Sequence, residues 1–213
     1  MMPGETNDWV RWRFINGHEP LGDFGERLWS SIFCSSGMFY IKFADLPIVN
    51  RKGPRLQGSD AILPDFQVSG QRTVLADSKC KSGPVLYRKA NEWRHGIDRK
   101  NYESYLAVSE IQRAKCCLAI CEIFTNEDRN ASREWSGALL MQTLGKLGKP
   151  IGGFSNQDHM LYWPRSSFAV VSPGTSPLRL WSMAQGECEA DDEMRHVLRS
   201  VIESSEVIQG RFA

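Results

Sequence analysis

Side chains alternate along a β-strand, so the segment Val74-Leu75-Ala76-Asp77-Ser78-Lys79-Cys80-Lys81 sorts into two sets. Val74, Ala76, Ser78 and Cys80 are small or apolar enough for a core face, while Leu75, Asp77, Lys79 and Lys81 share the other. Upstream, Leu63-Pro64-Asp65-Phe66 precedes a turn signal at Ser69-Gly70, which puts Asp65 on the neighbouring strand of a hairpin. Two carboxylates converging beside a lysine are what phosphodiester hydrolysis needs. Mg²⁺ takes hard oxygen ligands, keeps several waters and uses only one or two carboxylates. It polarises the phosphate and can lower the pKa of a bound water. A lysine orients that water or stabilises charge on the pentavalent phosphorus. The carbonyl oxygen of Ser78 is a candidate further ligand, and Mn²⁺ is an expected substitute for Mg²⁺.

Register constrains this chemistry. A two-residue turn at Ser69-Gly70 would pair Asp65 with Val74 and point it away from Asp77, because one step of register changes the face. A three-residue loop would pair Asp65 with Leu75, diagonal to Asp77 and roughly 7–8 Å from it at the backbone. The hypothesis therefore requires a loop of odd length, or a bulge.

With Pro64-Asp65, then Asp77-x-Lys79, and the element order described next, residues 22–124 resemble the PD-(D/E)xK nuclease superfamily, the restriction-endonuclease-like fold. No subfamily is singled out. The resemblance implies Asp65 and Asp77 as metal ligands, Lys79 as the catalytic lysine, and a third acid from the first helix, where Glu26 is the match. Asp77 stands where Glu is commoner, and its shorter side chain shifts the expected metal position. The implied activity is a Mg²⁺-dependent deoxyribonuclease, an endonuclease in a repair, recombination, restriction or mobile-element defence setting. The alternative is a nuclease-fold protein without turnover that binds nucleic acid or a protein partner. Lys81 and the loop residues Arg51, Lys52 and Arg55 are candidates for phosphate contacts, which add salt-dependent affinity without reading sequence.

The elements that must position these residues follow from periodicity. Residues 9–15 alternate like a half-exposed strand. Phe24, Leu28, Trp29, Ile32 and Phe33 give a helix from Gly22 to about Ser36, stopped by Gly37. A β-like run covers Met38 to Phe43, and two strands are expected near 60–66 and 72–80. Residues 89–114 carry Ile97, Tyr102, Tyr105, Leu106 and Ile111 and read largely as a helix. Cys116 to Phe124 is apolar enough for a strand buried on both faces. Trp135, Leu139, Met141, Leu144 and Leu147 outline another helix. Residues 159–171 form a strand pair broken at Pro164-Arg165, and a last helix begins at Asp191 or Asp192. The expected fold is α/β, a mixed sheet flanked by helices, with an αβββαβ core over 22–124 and a C-terminal α/β extension over 125–213. Together they make one nuclease-like domain.

The 213 residues, 41% of them hydrophobic and 24% charged, suit one sizeable core and argue against wholesale disorder. No apolar run is long enough to span a membrane, and the N-terminal residues lack a signal-peptide pattern. The six cysteines follow no disulfide-framework or zinc spacing and read as reduced thiols in a cytoplasmic protein. The four histidines are scattered, which leaves a Ser-His or Cys-His hydrolase nothing to build on. Net charge is only +1, yet residues 72–100 hold eight Lys or Arg against three Asp or Glu, and residues 187–206 seven Asp or Glu against two Arg. Such asymmetry suits a protein that grips an anion, here expected to be DNA, on one face. Homodimerisation is left open.

Overall fold

The computed structural model describes residues 9–10, 13–14, 16–45, 54–70, 72–123, 137–152 and 159–204. Its chain order is α1 (Leu21–Ser35), β1 (Phe39–Lys42), β2 (Phe66–Ser69), β3 (Thr73–Lys81), β4 (Val85–Tyr87), β5 (Glu92–Asp98), α2 (Arg99–Gln112) and β6 (Lys115–Glu122). There follow β7 (Gly137–Thr143), the one-turn α3 (Leu144–Leu147), β8 (Ile151–Gly152), β9 (Met160–Pro164), β10 (Ala169–Thr175), α4 (Pro177–Ala184) and α5 (Asp192–Glu203). The αβββαβ order is present, with the β4–β5 hairpin set between the third strand and the second helix.

Two sheets result. The larger runs β1-β2-β3-β6-β7-β10, and the smaller β4-β5-β9-β8. In the larger, β3 and β6 pair in parallel and every other neighbour is antiparallel, so this is the mixed sheet expected. One of its faces packs under α1, α4 and α5 through Phe24, Leu28, Ile32, Leu180, Met194 and Leu198. The opposite face carries a second core with α2 and the smaller sheet, built from Leu75, Leu118, Ile97, Tyr105, Leu161 and Trp163. Each residue from Cys116 to Glu122 is buried, which is why this strand is apolar without alternation.

Several expectations are corrected. Trp9, Val10, Arg13 and Phe14 are helical, and Val10 is fully buried, so the alternation there does not mark a strand. The strand expected over 60–66 begins only at Phe66; before it, Ile62 makes a single bridge to Arg55. The helix expected over 89–114 starts at Arg99, because Glu92–Asp98 is a strand of the smaller sheet. Its polar Arg94 and His95 are buried with ionic partners, which hides the strand from a hydrophobicity pattern. The helix outlined by Leu139, Met141, Leu144 and Leu147 is mostly a strand, and only Leu144–Leu147 is helical. Every residue of Gly137–Thr143 is buried, and burial on both faces overrides the helical preference of Ala, Leu and Met. Trp135 and the loop at 126–130 lie outside the described residues.

The first helix, the break near Pro164-Arg165 and the last helix match expectation. The two strands flanking that break enter different sheets. None of the six cysteines is disulfide-bonded. Among the described residues, no helix is long and apolar enough to cross a membrane.

Candidate active site

The hairpin β2–β3 pairs Ser69 with Thr73 and Phe66 with Ala76, leaving a three-residue loop at 70–72. The loop is odd, as the chemistry requires, but it sits one residue later than the turn signal suggested. Continuing the register one step sets Asp65 level with Asp77 rather than diagonal to it. By alternation Asp65 and Asp77 share the face that carries the second core, while Phe66 and Ala76 enter the first.

Asp77 is only 1% exposed, so it lies in the floor of the site and not on an open cleft face. Its Oδ1 accepts from Lys79 Nζ at 2.7 Å and from Tyr105 Oη at 2.6 Å. Its Oδ2 is buried and has no hydrogen-bond partner. Asp65 Oδ2 accepts from the backbone N–H of Ser78 at 2.7 Å, which ties the end of one strand to the middle of the next. The Ser78 carbonyl accepts from Lys79 Nζ at 3.2 Å.

Burial first, and then the charge of Asp77, push the Asp65 carboxyl up to about 7. Burial opposes the charge on Lys79, but Asp77 and then Asp65 hold its ammonium above the usual range. Lys81, farther along β3, is pushed down by burial and by its neighbour Lys79. A carboxyl pushed up by burial and by a neighbouring carboxylate, with one ammonium beside it, marks a place where a further cation would be welcome.

Helix α1 rides directly on β3 at Gly25. A Cβ there would stand 2.9 Å from Cys80 Cβ and 3.1 Å from Ser78 Oγ, so glycine permits the approach. The next residue, Glu26, thereby acts electrostatically on both Asp65 and Lys79. Its carboxylate pairs with Lys42 Nζ at 2.9 Å. Among the described residues no group of three or more His, Cys, Asp or Glu is gathered closely enough to hold a metal ion. The donors brought together are Asp65, Asp77 and the Ser78 carbonyl, with Lys79 beside them. Two carboxylates and a backbone oxygen suit Mg²⁺, which fills its remaining positions with water and substrate phosphate. The bare Oδ2 of Asp77 is the observation by which this donor set fits a cation.

The phosphate-contact candidates are dispersed. Lys81 continues the site face of β3. Arg55 donates to the Asp60 carbonyl within its own loop, and Arg51 and Lys52 lie outside the described residues. Tyr102 packs against Trp163 at a ring separation of 5.6 Å, a core contact.

Sequence reading missed the Tyr105–Asp77 bond. Tyr105 sits at ordinary core spacing on its helix, and its partner is 28 residues away. It also missed the group formed by His95, Glu122 and Arg165, whose members lie on three separate elements.

No family profile matches the sequence, and no curated protein is similar to it. Among solved structures, the chain is similar to the Holliday junction resolvase Hjc of the hyperthermophilic archaeon Archaeoglobus fulgidus. That likeness has 11% identity and a TM-score of 0.35, over 64% of this chain and 82% of that one. Likeness of this degree carries no functional argument, so function rests on the site's own residues.

Proposed function

We propose that this protein is a metal-dependent nuclease that hydrolyses phosphodiester bonds of DNA, cutting within strands, in a repair, recombination, restriction or mobile-element defence setting. The observation that carries the reading is the pair Asp65–Asp77 on one face beside Lys79, with a buried carboxylate oxygen left bare. Asp65, Asp77 and the Ser78 carbonyl are the residues that would hold Mg²⁺ or Mn²⁺, and Glu26 is the third acid within electrostatic reach. The cation would polarise the scissile phosphate and make a bound water more acidic.

The chain's own residues set the stage for that step. Asp77 is fixed by two donors on one oxygen. Asp65 titrates near 7, so it gives up its proton readily once positive charge is near. Lys79, held protonated between the two acids, is placed to stabilise charge developing on the phosphate oxygens. Lys81 extends the positive face along the strand.

The test is a cleavage assay on plasmid, linear, branched and single-stranded DNA, in Mn²⁺ or Mg²⁺ and in EDTA. Metal-dependent cutting of at least one substrate is expected. If no substrate is cut under any metal condition, the nuclease reading fails and the binding protein without turnover takes its place.

A further inference from the structure

The two oxygens of Asp77 are treated unequally. Both recorded donors, Tyr105 Oη and Lys79 Nζ, fall on Oδ1, while Oδ2 is buried and receives none. A buried carboxylate oxygen without a partner is costly unless something outside the chain occupies it. Rotation of an aspartate carboxylate about Cβ–Cγ is broad and its two oxygens are equivalent, so donors that hold one oxygen fix the angle at which the other faces the site.

Of these donors, Lys79 is the poorer anchor. It is 25% exposed, it is shared with the Ser78 carbonyl, and its ammonium is the group a substrate phosphate would draw away. Tyr105 is fixed. Its ring is 2% exposed in the core of α2, and its backbone carbonyl accepts from the Cys116 thiol at 3.2 Å. Phenylalanine would fill the same space, so packing does not account for the hydroxyl. Burial, and then the charge of Asp77, drive the phenol far above its ordinary pKa, so it remains a donor at every working pH.

Resting on the reading of Asp77 as a metal ligand, we propose that Tyr105 is a positioning residue, whose hydroxyl holds Asp77 Oδ1 so that Oδ2 stays turned toward a divalent cation. It keeps Asp77 oriented when Lys79 turns to the substrate. Partners that hydrogen-bond a ligating carboxylate contribute about 10–100-fold to metal affinity or activity.

The test is calorimetric titration of Mn²⁺ into the full-length parent, Tyr105→Phe and Asp77→Asn, with thermal midpoints of the metal-free proteins. Tyr105→Phe should keep a midpoint near the parent's while binding Mn²⁺ about 10–100-fold more weakly. A hydroxyl that served only the fold would, when removed, lower the midpoint and leave Mn²⁺ affinity in place. Parental Mn²⁺ affinity in Tyr105→Phe, with loss in Asp77→Asn, overturns the role of Tyr105 and leaves the site intact. Parental affinity in Asp77→Asn overturns the metal reading itself. Should Tyr105→Phe fail to fold, 3,5-difluorotyrosine at position 105 keeps ring and hydroxyl and makes the donor more acidic. An Mn²⁺ affinity identical to the parent's would then count against the proposal.

Discussion

Two buried acids on adjacent strands of the larger sheet are treated in opposite ways. Glu122, at the end of β6, has both oxygens bound: His95 Nε2 and Arg165 Nε reach Oε1 at 2.5 and 2.7 Å, and Arg165 Nη2 reaches Oε2 at 2.8 Å. Burial works against its charge, but the bonds from His95 and Arg165 prevail and hold the carboxyl below its ordinary range. Those partners come from β5 and from the turn after β9, so the group fastens the smaller sheet to the larger. Asp77 has one oxygen doubly bound and one bare, and its neighbour Asp65 is pushed up rather than down. The complete cluster is structural. The incomplete one leaves a buried carboxylate oxygen without a donor, which is where the proposed cation would bind.

Substitution should separate the two. Asp77→Asn and Lys79→Ala should each lower cleavage by about 100-fold or more, the scale for removing one group that stabilises developing charge. Asp77→Asn should leave the metal-free thermal midpoint unchanged or raised, because it relieves repulsion with Asp65. Full activity in either variant would sink the assignment.

Glu122→Gln reverses the pattern. It strips the charge from a buried carboxylate that His95 and Arg165 both bond, which costs on the order of 3 kcal/mol. For a chain of this size the thermal midpoint should fall by roughly 10 °C. An unchanged midpoint would show that the group does not fasten the sheets.

Asp65 gives a smaller effect with a definite sign. Its carboxyl titrates near 7 in the fold against 3.8 for the ordinary group, so between those pH values the folded state holds a proton the unfolded chain has lost. Stability therefore falls as pH rises through that window and is flat above it. Asp65→Asn should be more stable than the parent at pH 8 and indistinguishable at pH 3.5 by thermal melting. Saturating Mg²⁺ should abolish the advantage by stabilising only the parent.

The smallest effect is on binding. Lys81→Ala in an Asp77→Asn background should weaken duplex affinity for all sequences and lower the salt slope by about one unit. Neutralising Glu189, Asp191 and Asp192 should do little, since Arg195 and Arg179 already pair with these acids. Unaltered affinity in Lys81→Ala at every salt concentration would move the binding surface elsewhere.

The same contrast explains what could be read from the chain. The open cluster was legible because its parts are close in sequence: Asp77 and Lys79 alternate on one strand, and Asp65 reaches them across a short loop. Its first helix was legible because Phe24, Leu28, Trp29, Ile32 and Phe33 keep a helical period. The closed cluster was not, because Glu122 and Arg165 lie 43 residues apart and His95 and Arg94 disguise a buried strand as a polar segment. Gly137–Thr143 was misread because a strand buried on both faces has no period to show. The odd loop could be required from the two acids, yet its place, one residue beyond the turn signal, depends on Ser69 pairing with Thr73.

The most direct test of the open-cluster account is single-turnover DNA cleavage in Mn²⁺ by the parent, Asp77→Asn and Glu122→Gln, normalised to folded protein. The account predicts that Asp77→Asn loses cleavage with its fold intact, while folded Glu122→Gln cuts at a rate near the parent's. Cleavage by Asp77→Asn at the parental rate would contradict it.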